Sequence, residues 1–244
     1  MARIFITGSA DGLGKLSAKL LIEQGHQVVL HARNEERGKH AIEQNPNAEA
    51  VVTGDLSNID QTKDVADKVN QLGSFDAVIH NAGVYRTNAK ETLTVNTLAP
   101  YILTCLIEKP KRLIYLSSGM HSGGYPKLES FKKDINNINY SDTKLHVVML
   151  CLVVARKWPD VYSNAVDPGW VPTKMGGRGA PDNLEEGYQT QTWLAVGNDQ
   201  AALTTGGYFY HKKKRKHNPE ADDVSVQDKF LEVCRDITGV SFNS

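Results

Sequence analysis

Residues 3–14 read RIFITGSADGLG, and the chain then continues KLSAKLLIEQ to residue 24. An apolar run, Arg3 to Thr7, is followed by a glycine-rich turn and a helical pattern from Leu13 to Gln24 that carries apolar Leu16, Ala18, Leu20, Leu21 and Ile22. Glycines at 8, 12 and 14 permit a tight turn, close backbone approach and close packing of helix on strand. The N–H groups opening the helix would face a pyrophosphate with Gly8, Ser9, Gly12, Leu13 and Gly14 around it. The spacing is G-x-x-x-G-x-G and not the commoner G-x-G-x-x-G. A glycine turn with no ligand is the plain alternative, but the position between the first strand and the first helix favours nucleotide binding.

The same alternation continues outward. Strand-like runs at Gln27–His31, Ala50–Thr53, Ala77–His80, Arg112–Leu116, Tyr162–Val166 and Gly207–Tyr210 interleave with helical stretches. The helices are expected at Glu35–Glu43, Gln61–Leu72, Lys90–Ile107, Ser141–Lys157, Glu186–Val196 and Val226–Thr238. This pattern predicts an α/β fold, a doubly wound parallel sheet of about seven strands with helices on both faces, Rossmann-like. Strands rich in Val and Ile with little polar alternation fit a sheet covered on both sides. No linker or repeat interrupts the pattern, so residues 1–244 read as a single domain.

Composition narrows the function classes. Hydrophobic residues are 40% and charged residues 23% of the 244, as in ordinary globular chains. Lys plus Arg equals Asp plus Glu at 28 each, so no global field points to nucleic acid or an anionic membrane. The longest apolar stretch, Val147–Ala155, is too short for a membrane span. The start MARIFITGSA lacks a signal-peptide layout, and Cys105, Cys151 and Cys234 lie far apart, which leads us to expect free thiols in a reducing cytoplasm. The histidines show no ligand spacing, so no metal site is expected.

The chemistry concentrates in YSDTK, residues 140–144, at the mouth of the apolar helix. Tyr140 and Lys144 stand four apart and share a helix face. Alone, a phenol near pKa 10 and an ammonium near 10.4 do little at neutral pH, whereas an adjacent ammonium would pull the phenol down towards a working acid.

TGSADGLG, the NAG of Asn81-Ala82-Gly83 and YSDTK, in that order over essentially the whole chain, resemble the short-chain dehydrogenase/reductase family, and the stretch SGGYPKLESFKKDINNIN between Ser118 and Tyr140 resembles the insertion of its carbonyl-reductase-like or retinol-dehydrogenase-like branches. The resemblance implies further roles. Asp55 and Leu56 would contact adenine, and Asn96 would order a proton-relay water leading from Lys144. Ser118 would be the catalytic serine, and Pro168, Gly169, Val171 and Thr173 would border the nicotinamide. It implies hydride transfer between a nicotinamide and a carbonyl carbon. Ser118 and Tyr140 would bind the oxygen, Tyr140 would deliver the proton, and Lys144 would tune Tyr140 and hold the ribose.

The second strand ends His31-Ala32-Arg33 with no Asp or Glu for a ribose 2′-hydroxyl. Arg33, with Arg37 one turn on, suits a 2′-phosphate, so NADPH is expected over NADH. The alternatives are a nucleotide-sugar epimerase or dehydratase on the same scaffold, for which the chain is short, and a non-catalytic cofactor sensor, which would be expected to lose part of the Ser/Tyr/Lys set.

Three segments remain. The insertion between Ser118 and Tyr140 should form a loop or short helix over the outer face. Residues 173–190, with Gly176, Gly177 and Gly179, should form a substrate lid. The run HKKKRKH, residues 211–217, reads as a solvated loop. The insertion and this basic run together suggest a monomer or homodimer acting on a small carbonyl or alcohol substrate.

Overall fold

The computed structural model describes residues 1–242. Strands β1 (Arg3–Ile6), β2 (Gln27–Ala32), β3 (Ala50–Thr53), β4 (Ala77–His80), β5 (Arg112–Leu116), β6 (Tyr162–Asp167) and β7 (Gly207–Tyr210) are parallel, in the order β3-β2-β1-β4-β5-β6-β7. An eighth strand, β8 (Lys213–Arg215), pairs antiparallel with β7 and ends the sheet. The basic run expected as a loop is therefore partly an edge strand. Its residues are all exposed, so no burial pattern marks it in the sequence. Charged side chains on such an edge also oppose pairing with another chain.

Side-chain alternation along each strand makes two cores. Phe5, Val29, Val78, Leu113 and Tyr115 face one side, and Ile4, Ile6, Val28, Leu30, Ile79 and Ile114 the other. The second face receives α1 (Gly12–Glu23), α2 (Glu35–Gln44) and later α8 (Leu184–Val196), through residues such as Ala18, Leu21, Ala41 and Leu194. The first receives α3 (Ile59–Gln71) and a composite helix, α4 (Ala89–Leu93) through a π turn (Thr94–Leu98) into α5 (Ala99–Leu106). Also on that face are α7 (Tyr140–Lys157) and α9 (Val224–Thr238), while the insertion contributes the short α6 (Ser130–Lys133). Each fully buried Ile or Leu in these layers contributes about 1.5–3 kcal/mol. No helix among the described residues is long and apolar enough to cross a membrane.

The strand order reverses at β1, which lies between β2 and β4. Crossovers leave β1 in one direction and β4 in the other, opening a crevice beyond their carboxyl ends. The glycine-rich turn, Asn81 to Gly83, Ser118, Pro168 and the start of α7 all gather at that end.

The insertion is more than an outer cover. Leu128, Phe131 and Ile138 are buried, and Phe131 packs against His146 of α7 and Phe230 of α9. It also clamps the start of α7. Asn139 and Asp142 form a reciprocal capping box, which fixes Tyr140 as the first helical residue. The fully buried Asp142 carboxylate takes the N–H groups of Asn139 and Tyr125, each at 2.9 Å, and the Lys127 ammonium at 2.9 Å.

Candidate active site

The cradle is built from the turn after β1. Gly8 has φ +65°, and a Cβ there would lie 2.9 Å from Ala82 Cα, so the turn and the Asn81-Ala82-Gly83 stretch touch backbone to backbone. Asn81 Nδ2 donates to Thr7 O at 2.9 Å, and Ala82 N–H donates to Thr7 Oγ1 at 3.0 Å. Asp11 caps α1 through Gly12 N–H at 2.8 Å. The first-turn N–H groups of Leu13 and Gly14 have no intrahelical acceptor and stand at the positive end of α1. These features fit a pyrophosphate.

Ser9 does not face the cleft. It is fully buried, its hydroxyl donates to Ile6 O at 2.9 Å and accepts His31 N–H at 2.8 Å, and its own N–H goes to His31 O. Gly14 packs against Asn81, where any Cβ would collide with the amide. The Ser9 side chain holds the turn in shape and does not line it, and the missing side chain of Gly14 lets α1 close on Asn81. Sequence reasoning missed His31, which braces the turn from behind. Its Nδ1 accepts Gly8 N–H at 3.0 Å, and Nε2 donates to Gly54 O at 3.0 Å. Burial lowers the imidazole to about 4, so the ring is neutral with the proton on Nε2. The signal for this role, the Gly54 carbonyl, lies 23 residues away in sequence.

At the adenosine end Arg33 Nε meets Asp55 Oδ2 at 3.0 Å, and Arg37 Nη2 lies 3.6 Å from Asp11 Oδ2. Lys174, from the loop after β6, also pairs with Asp11. Arg33, Arg37, Asp55 and Leu56 all line the same cleft, of about 380 Å³, together with Ala82 and Gly83.

At the other end the cleft reaches Tyr140 and Lys144. Lys144 is 4% exposed and donates to Leu116 O at 2.8 Å, with Nζ 5.5 Å from the Tyr140 ring centroid. A Cβ on Gly83 would stand 3.3 Å from that ammonium, so a side chain there would press on it. Burial lowers Lys144 to about 8, opposed by the charge of Asp167. Tyr140 goes the other way from the expected depression. Burial pushes its phenol up to about 12, helped by Asp167 and Tyr85 and opposed by a hydrogen bond from Ser118. The ammonium leans on a carbonyl, and desolvation of the phenolate outweighs its pull.

Ser118 caps the 3₁₀ turn Gly119–Gly123 by accepting Met120 N–H at 3.2 Å, which sets its hydroxyl at the end of β5. Asn96 lies inside the π turn, a distortion that often marks functional segments. Its Oδ1 accepts Val84 N–H at 2.8 Å, and Nδ2 donates to Val84 O at 3.0 Å and Thr143 Oγ1 at 3.1 Å. With both amide hydrogens committed, only a second lone pair on Oδ1 is left for the expected relay water. The visible task of this side chain is to tie the loop after β4 to the start of α7.

Beyond Tyr140 opens a second cavity, of about 720 Å³, that Ser118, Gly169, Val171 and Thr173 help to line. Tyr140 and Pro168 border both spaces. Of the segment 173–190 expected to form a lid, the part from Leu184 onward belongs to α8, and buried Gly187 lies against Pro168 O. Within the loop, Gly176 is packed under Val171 O and accepts the Trp170 indole N–H at 2.7 Å.

Residues 2–106 match the short chain dehydrogenase family. An uncharacterized oxidoreductase of Emericella nidulans is 46% identical over 98% of this chain and 98% of its own length. The chain is a member of the short-chain dehydrogenase/reductase family. Another relative of this short-chain dehydrogenase, the short-chain dehydrogenase chry4 of Gibberella zeae, is 39% identical with full coverage of both chains. Among solved structures, an uncharacterized protein of Mycobacterium paratuberculosis shares the fold at TM-score 0.83 and 20% identity, over 100% of this chain and 96% of that one. A short chain dehydrogenase from Shigella flexneri, complexed with NADP, shares it at TM-score 0.67 and 20% identity, over 87% of this chain and 97% of that one.

Proposed function

We propose that this short-chain dehydrogenase reduces a ketone or aldehyde to an alcohol with NADPH, reversibly, and that Tyr140 gives the proton. The observation that carries the reading is the place of Tyr140. It stands at the junction of the cofactor cleft and the second cavity, with Ser118 lining the same cavity and the buried Lys144 one turn on. A nicotinamide dinucleotide in the cleft would supply hydride.

The chain's own residues do the rest. The Ser118 and Tyr140 hydroxyls point donors at the carbonyl oxygen where charge develops. Burial keeps the phenol protonated until then, and an alkoxide is a far stronger base than a phenolate, so transfer from Tyr140 runs downhill. Lys144 places its charge beside the phenolate left behind and holds the ribose. Asn96 keeps the loop and the helix start in register. Leu13, Gly12 and Gly8 would hold the pyrophosphate, Asp55 and Leu56 the adenine, and Gly169, Val171 and Thr173 the nicotinamide.

NADPH is favoured because β2 ends without an acid and two arginines line the adenosine end. Their ion pairs are largely exposed, and exposed pairs contribute only about 0–1 kcal/mol, so a phosphate displaces Asp55 or Asp11 at little cost. The NADP complex in a protein of the same fold supports this choice. Residues 173–183 act as the lid, and the cationic edge of β8 fits a monomer or dimer. Sedimentation as a stable tetramer at micromolar concentration would contradict that assembly.

The test of the function is a panel of ketones, aldehydes and alcohols with NADPH and NADH, followed by nicotinamide absorbance. Net oxidation of NADPH by at least one carbonyl class is expected. A protein that binds NADPH and leaves every carbonyl untouched would return the site to a sensor, and conversion of sugar nucleotides without net cofactor consumption would indicate an epimerase.

A further inference from the structure

Asp167 is a carboxylate that this mechanism leaves unused. It closes β6 at the carboxyl end of the sheet and lines the second cavity with Ser118, Gly119 and Tyr140. One of its oxygens is committed, since Oδ1 accepts Gly169 N–H at 2.9 Å and so fixes the turn that carries Pro168. The other faces Gly119, the neighbour of Ser118, closely enough that a Cβ there would stand 3.0 Å from Oδ2. Among the described residues no cation forms an ion pair with Asp167, and a further donor near its carboxylate is the buried Tyr208 hydroxyl, whose phenol it raises without a well-formed hydrogen bond. Both Tyr140 and Lys144 feel its charge.

The cations that line the cavity are turned to other partners, Lys174 to Asp11 and Arg86 to the Tyr85 ring at 5.2 Å. Met120, Trp170 and Met175 stand exposed at its rim, 47, 59 and 48% accessible, and buried Val171 forms part of its wall. The cavity's second carboxylate, Asp182, is occupied by Trp170 N–H at 2.6 Å. Asp167 is half-buried, so a hydrogen bond from a ligand to its second oxygen is worth more than one at the open surface. Held from behind by Gly169, it is also preorganised, so a partner loses little in meeting it.

Building on the carbonyl-reductase reading, we infer that Asp167 accepts a hydrogen bond from the substrate and selects ketones or aldehydes that carry an O–H or N–H donor on the carbon beside the reacting carbonyl. The donor is a neutral hydroxyl or a protonated amine. A site built around such a bond rejects the analogue that lacks it, because its own polar atom is then left bare.

The experiment uses three ketones of nearly equal shape: 2-hydroxyacetophenone, 2-aminoacetophenone and propiophenone. In the parent, kcat/KM for the hydroxy or the amino ketone should exceed that for propiophenone at least tenfold, and the arm that responds tells a neutral donor from a charged one. Asp167→Asn keeps an oxygen for Gly169 and can turn an N–H towards the substrate instead of an acceptor, so the ratio should collapse towards one. Gly119→Ala leaves Asp167 and its Gly169 bond in place but sets a methyl against Oδ2, and it should lower the ratio by the same route. A purely structural Asp167 would lower all three substrates together. A parent ratio near one, or a ratio that survives both substitutions, overturns the inference. Calorimetric binding of the same ketones reads the ratio without turnover. An intact binding preference with no NADPH consumed would sink the carbonyl-reductase reading and leave the subsite standing.

Discussion

The two ends of the cofactor cleft handle charge in opposite ways. At the catalytic end single charges are buried. Lys144 donates to a carbonyl oxygen and, among the described residues, forms no ion pair, and the Tyr140 phenol is held neutral beside it. At the adenosine end charges are exposed and already paired, with Arg33 62% accessible on Asp55 and Arg37 and Lys174 sharing Asp11. Burial moves proton affinities far enough for chemistry, whereas exposed pairs exchange partners cheaply and suit recognition. One end should respond to substitution in rate and pH dependence, the other in cofactor choice.

The largest effect expected from this contrast is at Lys144. Lys144→Ala should cut turnover 100-fold or more, within the usual range for groups that assist proton transfer. It should also weaken NADPH binding through the lost ribose contacts. Removing a cation raises a phenol further, so the pH midpoint of alcohol oxidation should move up. Turnover and NADPH affinity both at parent levels would dissolve the distinction between the two ends.

At the recognition end the effect is smaller and of another kind. Arg33→Asp replaces the proposed phosphate partner by an acceptor for a ribose hydroxyl, and the NADPH to NADH efficiency ratio should fall at least tenfold, about 1.4 kcal/mol. An unchanged ratio would move the recognition to Arg37.

The pH profile of the parent sharpens the contrast. Carbonyl reduction needs Tyr140 protonated and Lys144 charged. The phenol titrates only at about 12, so the ammonium at about 8 limits the reaction first. The reductive rate should be level below about pH 8 and decline above it. A decline that begins only near pH 10 would mean that Lys144 is not desolvated in the working enzyme.

Much of this contrast was legible in the chain. Val- and Ile-rich runs between helical stretches marked the doubly wound sheet, and the spacing in YSDTK placed Tyr140 and Lys144 on one helix face. What the reading missed depends on partners distant in sequence. The Tyr140 phenol rises where a fall was expected, because burial dominates and Asp167 adds to it, while Lys144 is turned to Leu116 O. The Asn96 π turn sits in a run whose residues read as continuous helix. Ser9 looked like a phosphate ligand until His31 proved to occupy it. β8 has no buried face, so nothing in HKKKRKH signalled a strand.

The smallest effect concerns the brace behind the phosphate turn. His31 is lowered to about 4 in the fold against an ordinary value of 6.5, so the unfolded chain binds more protons between those values. Its contribution is complete above about pH 6.5 and is lost as pH falls towards 4. His80 and His146, lowered to about 3 and about 4, act in the same direction. His31→Gln can meet Gly8 and Gly54 without titrating. It should remove about 2 kcal/mol of the stability difference between about pH 7 and pH 5, read by thermal unfolding. An unaltered difference would show that the ring is already charged in the native state.

The central claim is that the Tyr140 hydroxyl delivers the proton, and Tyr140→Phe tests it most directly. The substitution removes one oxygen and leaves the ring that packs 4.7 Å from Tyr85, so fold and NADPH binding should persist. Single-turnover reduction of the best ketone, started with NADPH already bound, should slow by roughly 100- to 10,000-fold. A Phe variant that binds NADPH and reduces that ketone at the parent rate would contradict the account.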